Sequence, residues 1–331
     1  MNKLTLIGGS GFIGTRLIDL IGSEKCRNID KSPSSGYNEI TTIYDIREKH
    51  LEEVLFPLTE TVVHLAAEHR DDVSPISLYF DVNVNGTRNV LEAMEKCNIR
   101  NIIFTSSAAV YGLNKENPDE SYPTEPTSPY GRSKCQAEAM LLKWQSIDPE
   151  NRSLTIIRSA VVFGETNRGN LYNLLHQISH GKFIMIGKGN NKKSMAYVGN
   201  IAEFIKYCIN TCKPGYRIIN FADKPDLSMN ELIQQVEKSL GKKLPGITLP
   251  YWLGRTGGFC FDMISAVTGL RFPVTGMRIK KFCASTQLNA ELVHDSGFKA
   301  PFTLREGLDR TLKSEFTNCT NVDELHEDVM M

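Results

Sequence analysis

The sequence predicts an α/β fold, a doubly wound parallel sheet followed by a smaller C-terminal lobe that faces a substrate. Three observations predict it. Short apolar runs alternate with amphipathic helical stretches from Lys3 to about Ala160, the pattern of parallel strands joined by crossover helices. A glycine-rich turn, Gly8-Gly9-Ser10-Gly11-Phe12-Ile13-Gly14, follows the first apolar run and opens a helical stretch. The 331 residues, 41% hydrophobic and 23% charged, suffice for one or two packed domains and exclude a mainly disordered chain or a large multidomain scaffold.

The apolar runs place strands at Leu4–Ile7, Arg27–Asp30, Glu39–Tyr44, Thr61–Leu65, Ile102–Ser106 and Leu154–Arg158. Between them, residues such as Val90, Leu91, Met94 and Cys97 recur at helical spacing. After about Gly164 the alternation becomes irregular, with a Gly- and Asn-rich stretch at Gly187–Asn191 and a late helix at Asn230–Leu240. The expected division is a dinucleotide-binding part over 1–164, a substrate-binding lobe interleaved with it over 165–316, and a frayed polar tail over 317–331.

Thirty-eight Lys and Arg balance 38 Asp and Glu, so no basic excess directs the chain to nucleic acid. No run of uncharged apolar residues is long enough to span a bilayer as a helix. Lys3 is followed by only Leu4-Thr5-Leu6-Ile7 before glycine, too short for a signal-peptide core, which predicts a cytoplasmic protein. The eight cysteines form no Cys-x-x-Cys and are expected to be reduced. His69-Arg70-Asp71-Asp72 is rejected as a metal site because adjacent side chains diverge and no second cluster completes it, so no metal is expected.

Glycines at 8, 11 and 14 let the backbone approach a pyrophosphate while helix N-terminal amides face it, which defines a Rossmann-type dinucleotide turn. Asp30 ends the second strand, where a carboxylate accepts the ribose hydroxyls and repels a 2′-phosphate, so NAD is preferred to NADP; the neighbouring Lys31 works against that preference. Asp45 and Ile46, after the third strand, fit an adenine contact or a plain surface turn.

Tyr130 and Lys134 stand four residues apart, which on a helix puts phenol and ammonium on one face. A tyrosine titrates near pH ~10, and a nearby cation favours the phenolate. Tyr130 then becomes usable as general base and acid. Ser107 leaves a strand at the end where such sheets bind ligands and can hydrogen-bond the reacting oxygen. A solvated helix face and a capping serine are the bland alternatives.

With Asp30, Asp45, His64-Leu65-Ala66-Ala67 and Asn83-Val84-Asn85-Gly86-Thr87, these motifs resemble the extended short-chain dehydrogenase/reductase family over nearly the whole chain. The resemblance implies Ser107, Tyr130 and Lys134 as catalytic residues. It implies Gly8, Gly11, Phe12, Ile13, Gly14, Asp30, Asp45, Ile46, Leu65, Ala66, Ala67, Asn83, Tyr130 and Lys134 as NAD-binding residues. The strings HLAAEHRDDVSP (64–75), FTSSAAVYGLNKENPDE (104–120), ETNRGNLYNLL (165–175), KSMAYVGNI (193–201) and KKFCASTQ (280–287) are similar to the family's bacterial 4-epimerases whose N-acetylated sugar is carried on undecaprenyl diphosphate, for O-antigen assembly. That branch implies a lipid-linked diphosphate sugar as substrate and peripheral contact with the inner membrane, while the wider family, whose members are often dimers, implies a homodimer through a helix pair that includes the Tyr130 helix. Arg158 is followed by Ser159-Ala160-Val161, not the asparagine common in nucleotide-sugar enzymes, which disfavours a UDP site. Tyr251–Leu270 reads as membrane-facing or as an ordinary buried helix pair, and Arg168, Asn170, Arg278 and Lys281 are candidate substrate contacts. A UDP-sugar 4-epimerase, a sugar or sterol-type dehydrogenase and a non-catalytic dinucleotide sensor are the competing readings.

Overall fold

Leu4-Thr5-Leu6-Ile7 has no exposed position, and the computed structural model puts it at the centre of a sheet that can bury both faces of a strand. The structure describes residues 4–55, 57–113, 115–254, 256 and 283–317. In chain order the strands are β1 (Leu4–Ile7), β2 (Cys26–Asp30), β3 (Thr41–Ile43), β4 (Thr61–His64), β5 (Asn101–Ser107), β6 (Ser153–Ser159), β7 (Val161–Phe163), β8 (Met185–Ile186), β9 (Lys192–Tyr197), β10 (Gly215–Phe221), β11 (Asp223–Ser228) and β12 (Thr248–Leu249). The helices are α1 (Phe12–Ile21), α2 (Ser77–Phe80), α3 (Thr87–Lys96), α4 (Pro129–Ile147), α5 (Asn170–Ser179), α6 (Val198–Asn210), α7 (Met229–Leu240), α8 (Glu291–Asp295) and α9 (Leu304–Phe316).

Seven parallel strands form the main sheet in the order β10-β6-β5-β4-β1-β2-β3, the doubly wound arrangement that the sequence predicts. Successive strand residues alternate between two cores. Val62, Ile102 and Ile156 pack with Val90, Met94, Leu141 and Trp144 of α3 and α4. Val63, Ile103 and Ile157 pack with Leu17, Ile18, Phe204 and Ile205 of α1 and α6. The chain order reverses between β1 and β4, so the crevice outside their C-terminal ends is where such a sheet takes its ligand. A β11-β9-β7 sheet and a β8–β12 pair form the second lobe, whose core includes Phe163, Leu175, Leu227, Leu232 and Leu308.

Two elements differ from the expectation. The strand expected at Glu39–Tyr44 shrinks to Thr41–Ile43, because Asn38–Ile40 turns as a 3-10 helix before an edge strand that pairs only with β2. The seventh strand of the main sheet, β10, is not among the strands that the apolar runs predict. Its Arg217 and Asn220 interrupt the apolar run, and they are tolerated because β10 is an edge strand whose polar side chains find partners: Arg217 Nε donates to Thr155 Oγ1 at 2.8 Å. Residues 198–221 therefore return from the C-terminal part of the chain to the central sheet. The predicted helix at Asn230–Leu240 is present as α7. Among the described residues no helix is long and apolar enough to cross a membrane.

Candidate active site at the C-terminal edge of the sheet

The glycine loop is built by contacts that leave no room for a side chain. A Cβ on Gly8 would lie 2.5 Å from the Ala66 nitrogen, and one on Gly14 would lie 2.4 Å from the Gly9 Cα. Gly8 also has φ near +89°, which favours glycine. Gly11 is the N-cap residue of α1 and makes no side-chain hydrogen bond there; Phe12 and Ile13 follow as its first turn. Leu65 and Ala66 both donate their N–H groups to the Ile7 carbonyl at 2.8 Å, which lays the segment after β4 against the loop, with Ala67 next along.

Asp30 sits beside the loop at the end of β2. Its carboxylate accepts from the Ser10 and Ser32 N–H groups at 3.0 Å each, which fixes its orientation. Asn28, which the sequence reading missed, is fully buried. Its Oδ1 accepts from Gly9 N–H at 2.8 Å, and its Nδ2 donates to Ser10 Oγ and Thr41 Oγ1. An amide inside an otherwise buried strand was the available signal.

Ser107, Tyr130 and Lys134 are brought together where β5 meets α4. Ser128 caps α4 through Gly131 N–H at 3.0 Å, and Pro129 opens its first turn. Gly131 lets the helix press on the turn after β5, since a Cβ there would lie 2.5 Å from the Ala109 carbonyl oxygen. Tyr130 shares a hydrogen bond with Ser107, and the Tyr79 ring lies 6.3 Å from its own. Ser107 Oγ also accepts from Ala109 N–H at 3.1 Å, so the bland capping role is filled as well.

Burial pushes the Tyr130 phenol up to about 12, the Ser107 hydrogen bond opposes it, and Tyr79 adds to it. Lys134 is 1% exposed, and burial brings its ammonium down to about 7, with Glu138 acting the other way. Its Nζ lies 4.1 Å from the Phe104 ring centroid. Burial thus favours the neutral form of both groups, so the support that Lys134 lends to the phenolate depends on the lysine's own protonation.

Beneath these residues lies a network that sequence reasoning missed. Buried Glu138, one turn beyond Lys134, accepts from Arg158 Nη2 at 2.7 Å and from Ser106 Oγ at 2.5 Å. Arg158 Nη1 donates to Tyr111 Oη, which donates to Asn220 Oδ1, both at 2.8 Å. Charged residues inside a buried strand and on the inner face of a helix were the signal.

Asn83 is a clamp between segments. It lies in a π-helical turn over Asp81–Gly86, where Oδ1 accepts from Glu68 N–H and Nδ2 donates to the Glu68 carbonyl and to Ser133 Oγ, all within 2.9 Å. Thr87 donates to the Asn83 carbonyl, so its oxygen accepts from His64 Nε2 at 3.0 Å. Burial brings His64 down to about 3 and keeps it neutral.

The remaining candidates are dispersed. Asp45 is held by Arg47, which keeps its carboxyl below the usual range, and Ile46 is buried against Gly86. Arg168 pairs with Glu315 and lies over the Tyr172 ring, while Asn170 donates to Asp71 at 2.8 Å. Arg278 and Lys281 lie outside the described residues, as does most of Tyr251–Leu270.

A nucleotide-binding sheet end with a Ser-Tyr-Lys group defines an α/β enzyme class, and the comparisons agree. The profile of the NAD dependent epimerase/dehydratase family matches residues 4–222, and the chain belongs to that family. The N-acetyl-alpha-D-glucosaminyl-diphospho-ditrans,octacis-undecaprenol 4-epimerase of Escherichia coli O157:H7 is 57% identical to it over 323 residues, 97% of this chain and 98% of that protein. The UDP-glucose 4-epimerase of Vibrio cholerae is 26% identical, over 94% and 95% of the two chains. The crystal structure of the Thermus thermophilus UDP-glucose 4-epimerase in complex with NAD shares the fold, with a TM-score of 0.72 at 20% identity over 94% of this chain and 98% of that one. The side-chain-free glycine cradle and the oriented Asp30 carboxylate fit the dinucleotide that the family uses.

Two stability measurements check the site's electrostatics. Glu138→Gln leaves Arg158 buried without its counter-charge and is expected to lower unfolding stability by about 3–5 kcal/mol in urea titrations. Lys134 titrates near 7 when folded and near 10.5 when unfolded, so the unfolded chain binds more protons between those values and stability rises with pH across that window. Lys134→Met is therefore expected to stabilise the protein at pH 7, and the gain should vanish as pH approaches 10.5. A destabilised, pH-independent variant would contradict the buried-cation account.

Proposed function

We propose that the chain is an NAD-dependent 4-epimerase that interconverts N-acetylglucosaminyl- and N-acetylgalactosaminyl-diphospho-undecaprenol through a 4-keto sugar. The observation that carries this reading is the 57% identity, over nearly both full lengths, to the Escherichia coli O157:H7 enzyme of that activity. The meeting of Ser107, Tyr130 and Lys134 at the strand ends supports it with chemistry.

Gly8, Gly11, Phe12, Ile13 and Gly14 would hold the pyrophosphate of NAD, Asp30 the adenosine ribose, and Asp45 and Ile46 the adenine side. Leu65, Ala66 and Ala67 line the same crevice, and Asn83 fixes that segment against the Tyr130 helix. NAD, when bound, supplies a reversible acceptor for the hydrogen at C4.

Tyr130 takes the C4 hydroxyl proton and returns it to the same oxygen after the keto sugar has presented its other face. Ser107 donates to that oxygen and keeps it at hydrogen-bond distance from the phenol. A phenol near 12 needs a positive charge close by to act as base at neutral pH. Lys134 supplies one when protonated, and Glu138 is the group that favours its protonation. Arg168, Asn170, Arg278 and Lys281 are the candidates for the sugar diphosphate, and the polyprenyl tail puts the enzyme at the cytoplasmic face of the inner membrane.

Tyr130→Phe is expected to abolish turnover while NAD stays bound, which a turnover assay and the absorbance of retained cofactor read separately. Turnover near that of the wild type would overturn the role of the phenol.

A further inference from the structure

One edge of the C-terminal lobe carries apolar side chains that the lobe's own core leaves uncovered. Residues 245–253 read Pro-Gly-Ile-Thr-Leu-Pro-Tyr-Trp-Leu, and each is exposed. Trp252 is 65% and Ile247 is 51% exposed; Leu249, Tyr251 and Leu253 join them. β8 pairs in parallel with β12, and Met185 N–H donates to the Ile247 carbonyl at 2.9 Å, which sets exposed Ile184 next to Ile247. Apolar side chains scattered singly over a surface are ordinary, but a contiguous group marks a contact.

Among the described residues, the charged side chains next to this face in sequence are mostly lysines. Lys182, Lys188, Lys242 and Lys243 are exposed beside it. The sequence holds no Asp or Glu between Thr166 and Ala202, nor between Lys238 and Phe261. Glu237 is the acid that approaches, 3.7 Å from Lys243, whose side chain stays 94% exposed. Exposed tryptophan, tyrosine and leucine with exposed lysines in the same and the paired segment match the interfacial layer of an anionic bilayer, where amphipathic rings sit at headgroup depth and ammonium groups meet phosphates.

The face also connects with the candidate active site. Cys283 Sγ donates to the Ile186 carbonyl, and Lys193 Nζ donates to the Ala284 carbonyl, so this short segment ties β8 to β9. β9 pairs with β7, which follows β6 directly, and Ser159 of β6 is the register partner of Ser107.

We propose that the surface formed by Ile184, Ile247, Leu249, Tyr251, Trp252 and Leu253, with its surrounding lysines, seats the protein on an anionic lipid bilayer. The proposal rests on the reading that the substrate is lipid-carried, and it assigns the membrane contact to described residues of the second lobe.

The test uses the full chain with unilamellar vesicles of phosphatidylcholine, alone or mixed with phosphatidylglycerol. Cosedimentation is measured together with the Trp252 emission, taken as wild type minus Trp252→Phe. Binding to the anionic vesicles with a blue shift of Trp252 is expected. Leu249→Ser/Trp252→Ser and Lys242→Gln/Lys243→Gln should each weaken binding on the order of tenfold or more while retaining NAD. Absence of binding by the wild type, binding unchanged in both variants, or a dimer that the serine variant dissociates without any vesicle binding would each overturn the proposal. Turnover of detergent-dispersed lipid-linked sugar without vesicle binding sinks the surface alone. Vesicle binding with turnover of the nucleotide sugar only sinks the substrate reading alone.

Discussion

The reaction end of this protein depends on a buried ion pair, Arg158 with Glu138 at 2.7 Å. Two charges removed from water persist only when their geometry and remaining hydrogen bonds are satisfied, and here they are. Glu138 also accepts from Ser106, and Arg158 also donates to Tyr111, which reaches Asn220. These contacts join α4 to β5, β6 and β10, the elements that carry or flank Ser107, Tyr130 and Lys134. Ser107, Tyr130 and Lys134 are thus held by a polar lattice one layer below them.

Burial sets the titration of the site, and the lattice opposes it at the lysine. Lys134 is almost wholly buried and rests over Phe104, so its charge is poorly solvated, and the main group favouring the ammonium is Glu138. Tyr130 keeps its proton because burial outweighs the Ser107 hydrogen bond. Burial therefore favours the neutral form of both groups, and a charge gained at the lysine is felt by the phenol one turn away on the same helix.

The glycine loop was legible because Gly8 and Gly14 each answer to a backbone contact that a side chain would fill, and because strand and helix flank it where expected. β1, β4, β5 and β6 were legible because strands buried on both faces read as continuous apolar runs. β10 was not, because an edge strand carries Arg217 and Asn220, and a polar residue in a short run reads as a break. Glu138 and Asn28 stood out only as polar residues in apolar surroundings, and their roles stayed unread because their partners are distant in sequence: Arg158 is 20 residues from Glu138, and Gly9 is 19 residues from Asn28. Tyr130 and Lys134 showed their spacing, but the burial that sets their pKa values appears only once the chain is folded.

The family membership fixes the fold and the cofactor, while the carrier of the sugar separates this chain's proposed activity from that of the UDP-sugar enzymes that share its architecture. The most direct measurement is to incubate the protein separately with N-acetylglucosaminyl-diphospho-undecaprenol and with UDP-N-acetylglucosamine, and to identify the sugar released by mild acid. The account predicts N-acetylgalactosamine from the lipid-linked substrate and none from the nucleotide. N-acetylgalactosamine from the nucleotide sugar alone would contradict it.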